Sequence, residues 1–134
     1  MDDILLNKMA TVKRCVARIN EVYAPSDFKE SFTKQDSVIL NLQRACEATI
    51  DVANFAVRKK RLGIPQRSRD GFVMLCQAGA ITEAVSTSMQ AMVGLRNIAV
   101  HDYQELNLDI VESVVCSHLQ DFFEFLNQVA AYIE

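Results

Sequence analysis

The sequence predicts an all-α fold: an antiparallel bundle of four main helices plus a short one in mid-chain. Three observations lead there. Apolar residues recur at steps of three and four through every long segment, the period of one helix face. No segment alternates strongly enough to make a strand. Pro25, Gly63, Pro65 and Gly79 fall between the periodic segments and leave only short connections, which set neighbouring helices antiparallel. With 134 residues, 50% of them hydrophobic, the chain fits one domain over residues 1–134 with its own core, and is too apolar for a disordered chain.

The elements follow in order. Leu5, Met9, Val12, Val16, Ile19 and Tyr23 line one face of a first helix that Pro25 ends. A longer helix runs from about Gln35 to Arg61 on Val38, Leu42, Ala45, Thr49, Val52 and Ala56, stopped by Gly63 and Pro65. Ser68 is placed to cap a short helix through Phe72, Leu75 and Cys76, closed by Gly79. Thr82 caps the next helix, which reaches about Val100. After a turn at Gln104–Asn107, a last helix covers Asp109 to Ile133. Its stripe is Val111, Val115, His118, Phe122, Phe125, Val129 and Ile133, widened by Val114, Leu119, Leu126 and Tyr132. That is more apolar surface than one flank of a small bundle needs, and the excess points to a dimer face.

Net charge is −3, which argues against an indiscriminate nucleic-acid binder. The average hides a split. Residues 1–69 hold 13 of the 14 Lys and Arg against 8 acids, and residues 70–134 hold 9 acids and a single cation, Arg96. The start, MDDILLNKMA, is acidic where a signal peptide is basic, and no apolar run approaches the roughly 18 residues of a membrane span. Cys15, Cys46, Cys76 and Cys116 form no CxxC pair and have no His at metal spacing. They read as buried free thiols of a cytoplasmic protein, with no metal and no cofactor expected.

The single cation sits where the pattern calls for an apolar residue. The stripe is Val85, Met89, Met92, Arg96, Ala99, Tyr103, with the methionines read as core or dimer face. An unpaired buried guanidinium costs several kcal/mol, so Arg96 must be paired, or face a cleft or a partner. Gly94, two residues earlier, costs about 1 kcal/mol in a helix and is worth keeping where a backbone or ligand comes close. On one straight helix Arg96 and Tyr103 differ by roughly 20°, whereas His101 lies about 140° from Arg96. Either the helix ends before His101 and turns it back, or two copies of the segment meet. Arg binds phosphate bidentately and His moves a proton near neutrality. Without a metal, that pair suffices to cut RNA, whose own 2′-OH is the nucleophile. Spacing alone equally allows a structural ion pair from Arg96 to an acid, with His101 a surface residue.

The run RNIAVHDY resembles the signature of the HEPN superfamily: an Arg, a polar residue, and a His four to six positions on. With Tyr103 it takes the R-x4-H-x-Y form of HepT-like toxins. QDSVILNLQRACEATIDVANF, GIPQRSRDGF and MVGLRNIAVHDYQELNLDI extend the resemblance along the chain. The resemblance implies a HEPN-type bundle and a metal-independent endoribonuclease toxin of a toxin–antitoxin pair. It implies a homodimer, or a higher assembly, whose protomers share one cleft for RNA. His101 becomes the acid/base, Arg96 the phosphate and transition-state ligand, and Asn97 their support. Tyr103 becomes the acceptor of AMP groups from an MntA-like nucleotidyltransferase antitoxin. AMP there would add bulk and negative charge beside Arg96. A non-catalytic HEPN module that binds a nucleotide or partner is the alternative.

Other features carry paired readings. Arg44, Glu47 and Asp51 form a polar stripe on the second helix, either support for Arg96 or His101, or a surface ion-pair stripe. Arg58, Lys59, Lys60 and Arg61, with Arg67 and Arg69, either track RNA, solvate a helix end, or meet an acidic partner surface. His118 reads as a packing or interface histidine. GIPQ is a helix stop, not a phosphate loop.

Overall fold

The structure, a computed structural model, describes residues 2–134; Met1, within the expected 1–134 domain, lies outside them. Among the described residues six α-helices follow one another: α1 (Asp3–Val22), α2 (Phe32–Lys59), α3 (Asp70–Gln77), α4 (Glu83–His101), α5 (Leu108–Ser117) and α6 (Leu119–Ile133). Among the described residues there is no strand, so the fold is all-α, as expected.

Capping chemistry sets the boundaries. Asp2 accepts from the Ile4 N–H at 2.7 Å to start α1, and Pro25 follows its end. Ser31 caps α2 through the Lys34 N–H at 3.2 Å, so α2 begins a turn before the expected Gln35. At its end Arg61 takes a left-handed backbone (φ 54°), and the Leu62 and Arg61 N–H groups bond back to Val57 and Arg58 at 2.9 and 3.2 Å. This is a Schellman stop, built on an arginine where glycine is usual. Gly79 (φ 79°) closes α3 in the same way, as expected. The expected Ser68 cap does not form. The Asp70 carboxylate instead reaches back from the first turn of α3 and accepts from the Gln66 and Arg67 N–H groups at 2.8 and 2.9 Å. Thr82 caps α4 as expected, and Asn107 caps α5.

The expected last helix is two helices. His118 (φ −125°, ψ 0°) breaks it, ending α5 with an N–H bond to Val114 at 2.8 Å. Its ring lies 3.1 Å from the Asp121 carboxylate and its side chain is half exposed, so it is not a packing histidine within the chain. The break re-aims α6, which buries Leu119, Phe122, Phe125, Leu126 and Val129. The apolar excess of this segment is therefore largely spent on the chain's own core. The exposed apolar side chains near it lie on α4 (Ile98, Val100) and at the start of α5 (Ile110).

α2 is the central element. It buries 14 residues and packs against α1, α3, α4 and α6. Tyr23 pins the end of α1 to α5, donating to Glu112 at 2.6 Å. No helix among the described residues is long and apolar enough to cross a membrane, and the four cysteines are free thiols, with Cys116 exposed and Cys76 half-buried rather than buried as expected.

Phe125 is fully buried and meets the Phe72 ring edge-on at 5.1 Å. Phe125→Ala is expected to cost about 3–5 kcal/mol in denaturant unfolding. Phe32→Ala, at a side chain 80% exposed, is expected to stay within about 0.5 kcal/mol.

Candidate active site

Arg96 lies in the middle of the buried face of α4, among Val85, Met89, Met92, Val93 and Ala99. Its position is tolerated because α2 presents Glu47 opposite. The guanidinium donates to Glu47 Oε2 from Nη2 at 3.2 Å and from Nε at 3.4 Å. Nη1 donates to Asn97 Oδ1 at 2.9 Å. The Arg96 side chain remains 23% exposed and that of Glu47 39%. A guanidinium has five N–H donors, so these bonds leave two for a ligand. The stem sits over an apolar cleft lined by Ile39, Leu42, Cys46, Met92, Ala99 and Leu106. Burial pushes the Cys46 thiol up to about 12 against the pull of Arg96, which leaves it protonated and inert.

His101 is the last residue of α4 and is exposed. The helix does not end before it, so within one chain it is not turned back onto Arg96. The Asp102 N–H closes the helix on Ile98 at 2.8 Å. Tyr103 then opens a short 310 turn, Tyr103–Glu105, so it does not share the face of Arg96 by helical extension. Its hydroxyl donates to the Asp36 carboxylate of α2. Partial burial first, and that carboxylate second, push the Tyr103 phenol up to about 12.

Asp36 and Glu47 are eleven residues apart, a rotation of only about 20°. One face of α2 therefore receives both Tyr103 and Arg96. Sequence reasoning did not single out Asp36; its eleven-residue spacing from Glu47 is the signal that could have found it. Arg44 and Asp51 lie about 60° and 40° round the helix from Glu47, towards α1. Within one chain the structure does not bring these two to Arg96 or His101. Asp51 pairs with Lys8 of α1 at 2.9 Å. Arg44 is exposed, near the Cys15 thiol, and makes no ion pair among the described residues.

Arg58, Lys59, Lys60 and Arg61 are exposed at the far end of α2, about 17–21 Å along its axis from Glu47. Lys59 and Lys60 lie over the rings of Phe55 and Tyr132, at 6.0 and 5.4 Å. The structure does not bring these four to the site. Arg69, from the loop before α3, does reach α4: its Nε donates to the Gln90 carbonyl at 3.2 Å. No three His, Cys, Asp or Glu residues cluster as metal ligands among the described residues.

Residues 12–129 match the family model described as ribonuclease HepT-like. The chain belongs to the HepT-like ribonuclease family. It is 60% identical to the mRNA nuclease HepT of Shewanella oneidensis over 132 residues, 98% of this chain and 99% of that protein. It is 24% identical to the tRNA nuclease HepT of Aphanizomenon flos-aquae over 107 residues, 80% of this chain and 73% of that one. A solved structure of the tri-AMPylated Shewanella oneidensis HEPN toxin in complex with MNT antitoxin superposes with a TM-score of 0.94 at 60% identity, covering 98% of this chain and 99% of that one. The R-x4-H-x-Y segment spans the end of α4 and the turn after it.

Tyr103 is neutral in the folded chain until pH passes about 12, so the advantage of holding it protonated is complete below pH 10 and is lost as pH rises through 12. Asp36→Asn is expected to bring its ionisation down towards 10, read by NMR of ring-labelled tyrosine with Tyr103→Phe to assign the signal.

Proposed function

We propose that this HepT-like chain is the toxin of a toxin–antitoxin pair, a cytoplasmic endoribonuclease that works without metal or cofactor as one domain over residues 1–134. The observation that carries the reading is Arg96, held by Glu47 and Asn97 yet still open to a ligand, on the helix that ends at His101. The full-length likeness to a protein named mRNA nuclease HepT supports it.

Arg96 and His101 diverge on one helix, so the working site is a cleft between two protomers. Ile98 and Ile110, with Ala91 and Leu95, line an exposed groove between α4 and α5 that supports such a dimer. Two copies of the α4 end then supply two histidines. One neutral imidazole takes the proton from the ribose 2′-OH, whose oxygen attacks the adjacent phosphorus. The other, protonated, delivers a proton to the leaving 5′-oxygen. The products are a 2′,3′-cyclic phosphate and a free 5′-hydroxyl. Arg96 binds the non-bridging oxygens and stabilises the charge that builds on them. Asn97 and Glu47 hold its fork in place.

Tyr103 is the modification site. Its hydroxyl accepts AMP from an MntA-like nucleotidyltransferase antitoxin. The solved complex of the tri-AMPylated Shewanella toxin with MNT antitoxin supports this partner. The added phosphodiester cannot keep the Tyr103–Asp36 bond, because two anions would then face each other. The AMP groups therefore leave Asp36 for the cationic cleft and exclude RNA.

Cleavage of RNA by the purified chain is expected to survive a chelator and to leave cyclic phosphate ends. His101→Ala should lower the rate at least 100-fold and Arg96→Ala by about 100- to 1,000-fold. If His101→Ala cleaved as well as the parent, or the parent left RNA intact, a non-catalytic binding module would be the better description. Co-expression with a nucleotidyltransferase partner is expected to add AMP masses to the Tyr103 peptide and none to Tyr103→Phe, read by mass spectrometry.

A further inference from the structure

Gly94 lies inside α4, where a glycine weakens the helix by about 1 kcal/mol relative to alanine. What occupies its missing side chain is Arg69. A Cβ at position 94 would lie 2.7 Å from Arg69 Nη2. The Arg69 stem is fixed at the same place by its Nε bond to the Gln90 carbonyl. The guanidinium is thus laid along α4 over a bare stretch of backbone. It pairs with no carboxylate among the described residues. The Asp70 carboxylate beside it is occupied by the Gln66 and Arg67 N–H groups.

Arg69 borders a polar cleft with Arg67, Ser68, Gln90 and Asn97. Asn97 is the residue whose Oδ1 accepts from Arg96. Gln90, Gly94, Asn97 and His101 follow one another at steps of four, three and four, on one face of α4. His101 is one turn beyond Asn97, about 6 Å further along the axis. Arg69 and His101 therefore share a face of α4, with Asn97 between them, while Arg96 approaches the same asparagine from the buried side.

We propose that Arg69 is a second phosphodiester ligand, binding the RNA phosphate next to the one that is cut, and that Gly94 is the seat that lets its guanidinium reach α4. The assignment rests on the ribonuclease reading above. A planar fork fixed by one backbone bond keeps its Nη donors for two phosphate oxygens. Arg69 adds no proton transfer. It sets where the strand lies, so that the scissile phosphate arrives at Arg96 and His101.

The test uses the full chain in a His101→Ala background for binding and the parent background for cleavage, with a single-stranded RNA as probe. Arg69→Ala is expected to weaken RNA binding roughly tenfold. It should reduce the dependence of log affinity on log salt by about 0.7, one phosphate contact on a single strand. Gly94→Ala, which keeps every charge, is expected to weaken binding in the same direction and to raise KM more than it lowers kcat, without lowering the melting temperature. Arg69→Lys should recover the salt dependence more than the affinity. Unchanged affinity and salt slope in Arg69→Ala, with the parent still cutting RNA, would overturn the Arg69 assignment alone. A parent that neither binds nor cuts RNA would sink the ribonuclease reading and this one with it. If Arg69→Ala lost helicity by circular dichroism, Gly94→Ala would decide, and normal KM and binding there would overturn the proposal.

Discussion

A guanidinium cannot be buried alone, and the rest of the site is arranged around that constraint. Arg96 points from the apolar face of α4 into the seam with α2. The energy of leaving it unpaired there exceeds what a surface ion pair contributes. Glu47 meets the charge from across the seam and Asn97 meets it from the next residue. The seam stays open at Arg96 because neither partner is fully buried. The same arrangement that makes the arginine tolerable leaves part of its fork for an anion.

The central helix serves as the platform for both halves of the R-x4-H-x-Y segment. The same face of α2 holds Glu47 under Arg96 and, three turns earlier, Asp36 under Tyr103. The turn after α4 is thereby tied to the bundle by a carboxylate that a modified tyrosine would have to leave. His101, between these two anchors, has none: it is exposed at the helix end, where a proton carrier remains accessible. Anchored arginine, anchored tyrosine and free histidine are three different mechanical situations within eight residues.

Much of this was legible in particular residues. The spacing of Leu5, Val12 and Ile19, the cap at Thr82 and the left-handed Gly79 are local effects, and they appear where the pattern put them. The odd placement of Arg96 was legible because one cation in an apolar stripe is a local contradiction. The break at His118 was not, because its residues fit a continuous stripe as well as a broken one; the choice depends on which direction buries Phe122 and Phe125 against α2 and α4. Ser68 does not cap α3: the helix starts after Arg69, and the Asp70 carboxylate ties the loop down through the Gln66 and Arg67 N–H groups before it. Arg44 and Asp51 shared a stripe with Glu47 but drift far enough round the helix to face α1.

The sequence by itself determined the all-helical class, the helix ends that rest on caps and glycines, and the R-x4-H-x-Y segment, since each depends on neighbours a few residues apart. Only the tertiary structure decided which carboxylate meets Arg96, that Asp36 holds Tyr103, and that Arg69 rather than the Arg58–Arg61 cluster reaches α4. Those pairings join residues between 21 and 67 positions apart. Helical periodicity says which face a side chain shares; it does not say which face of another helix comes to lie against it.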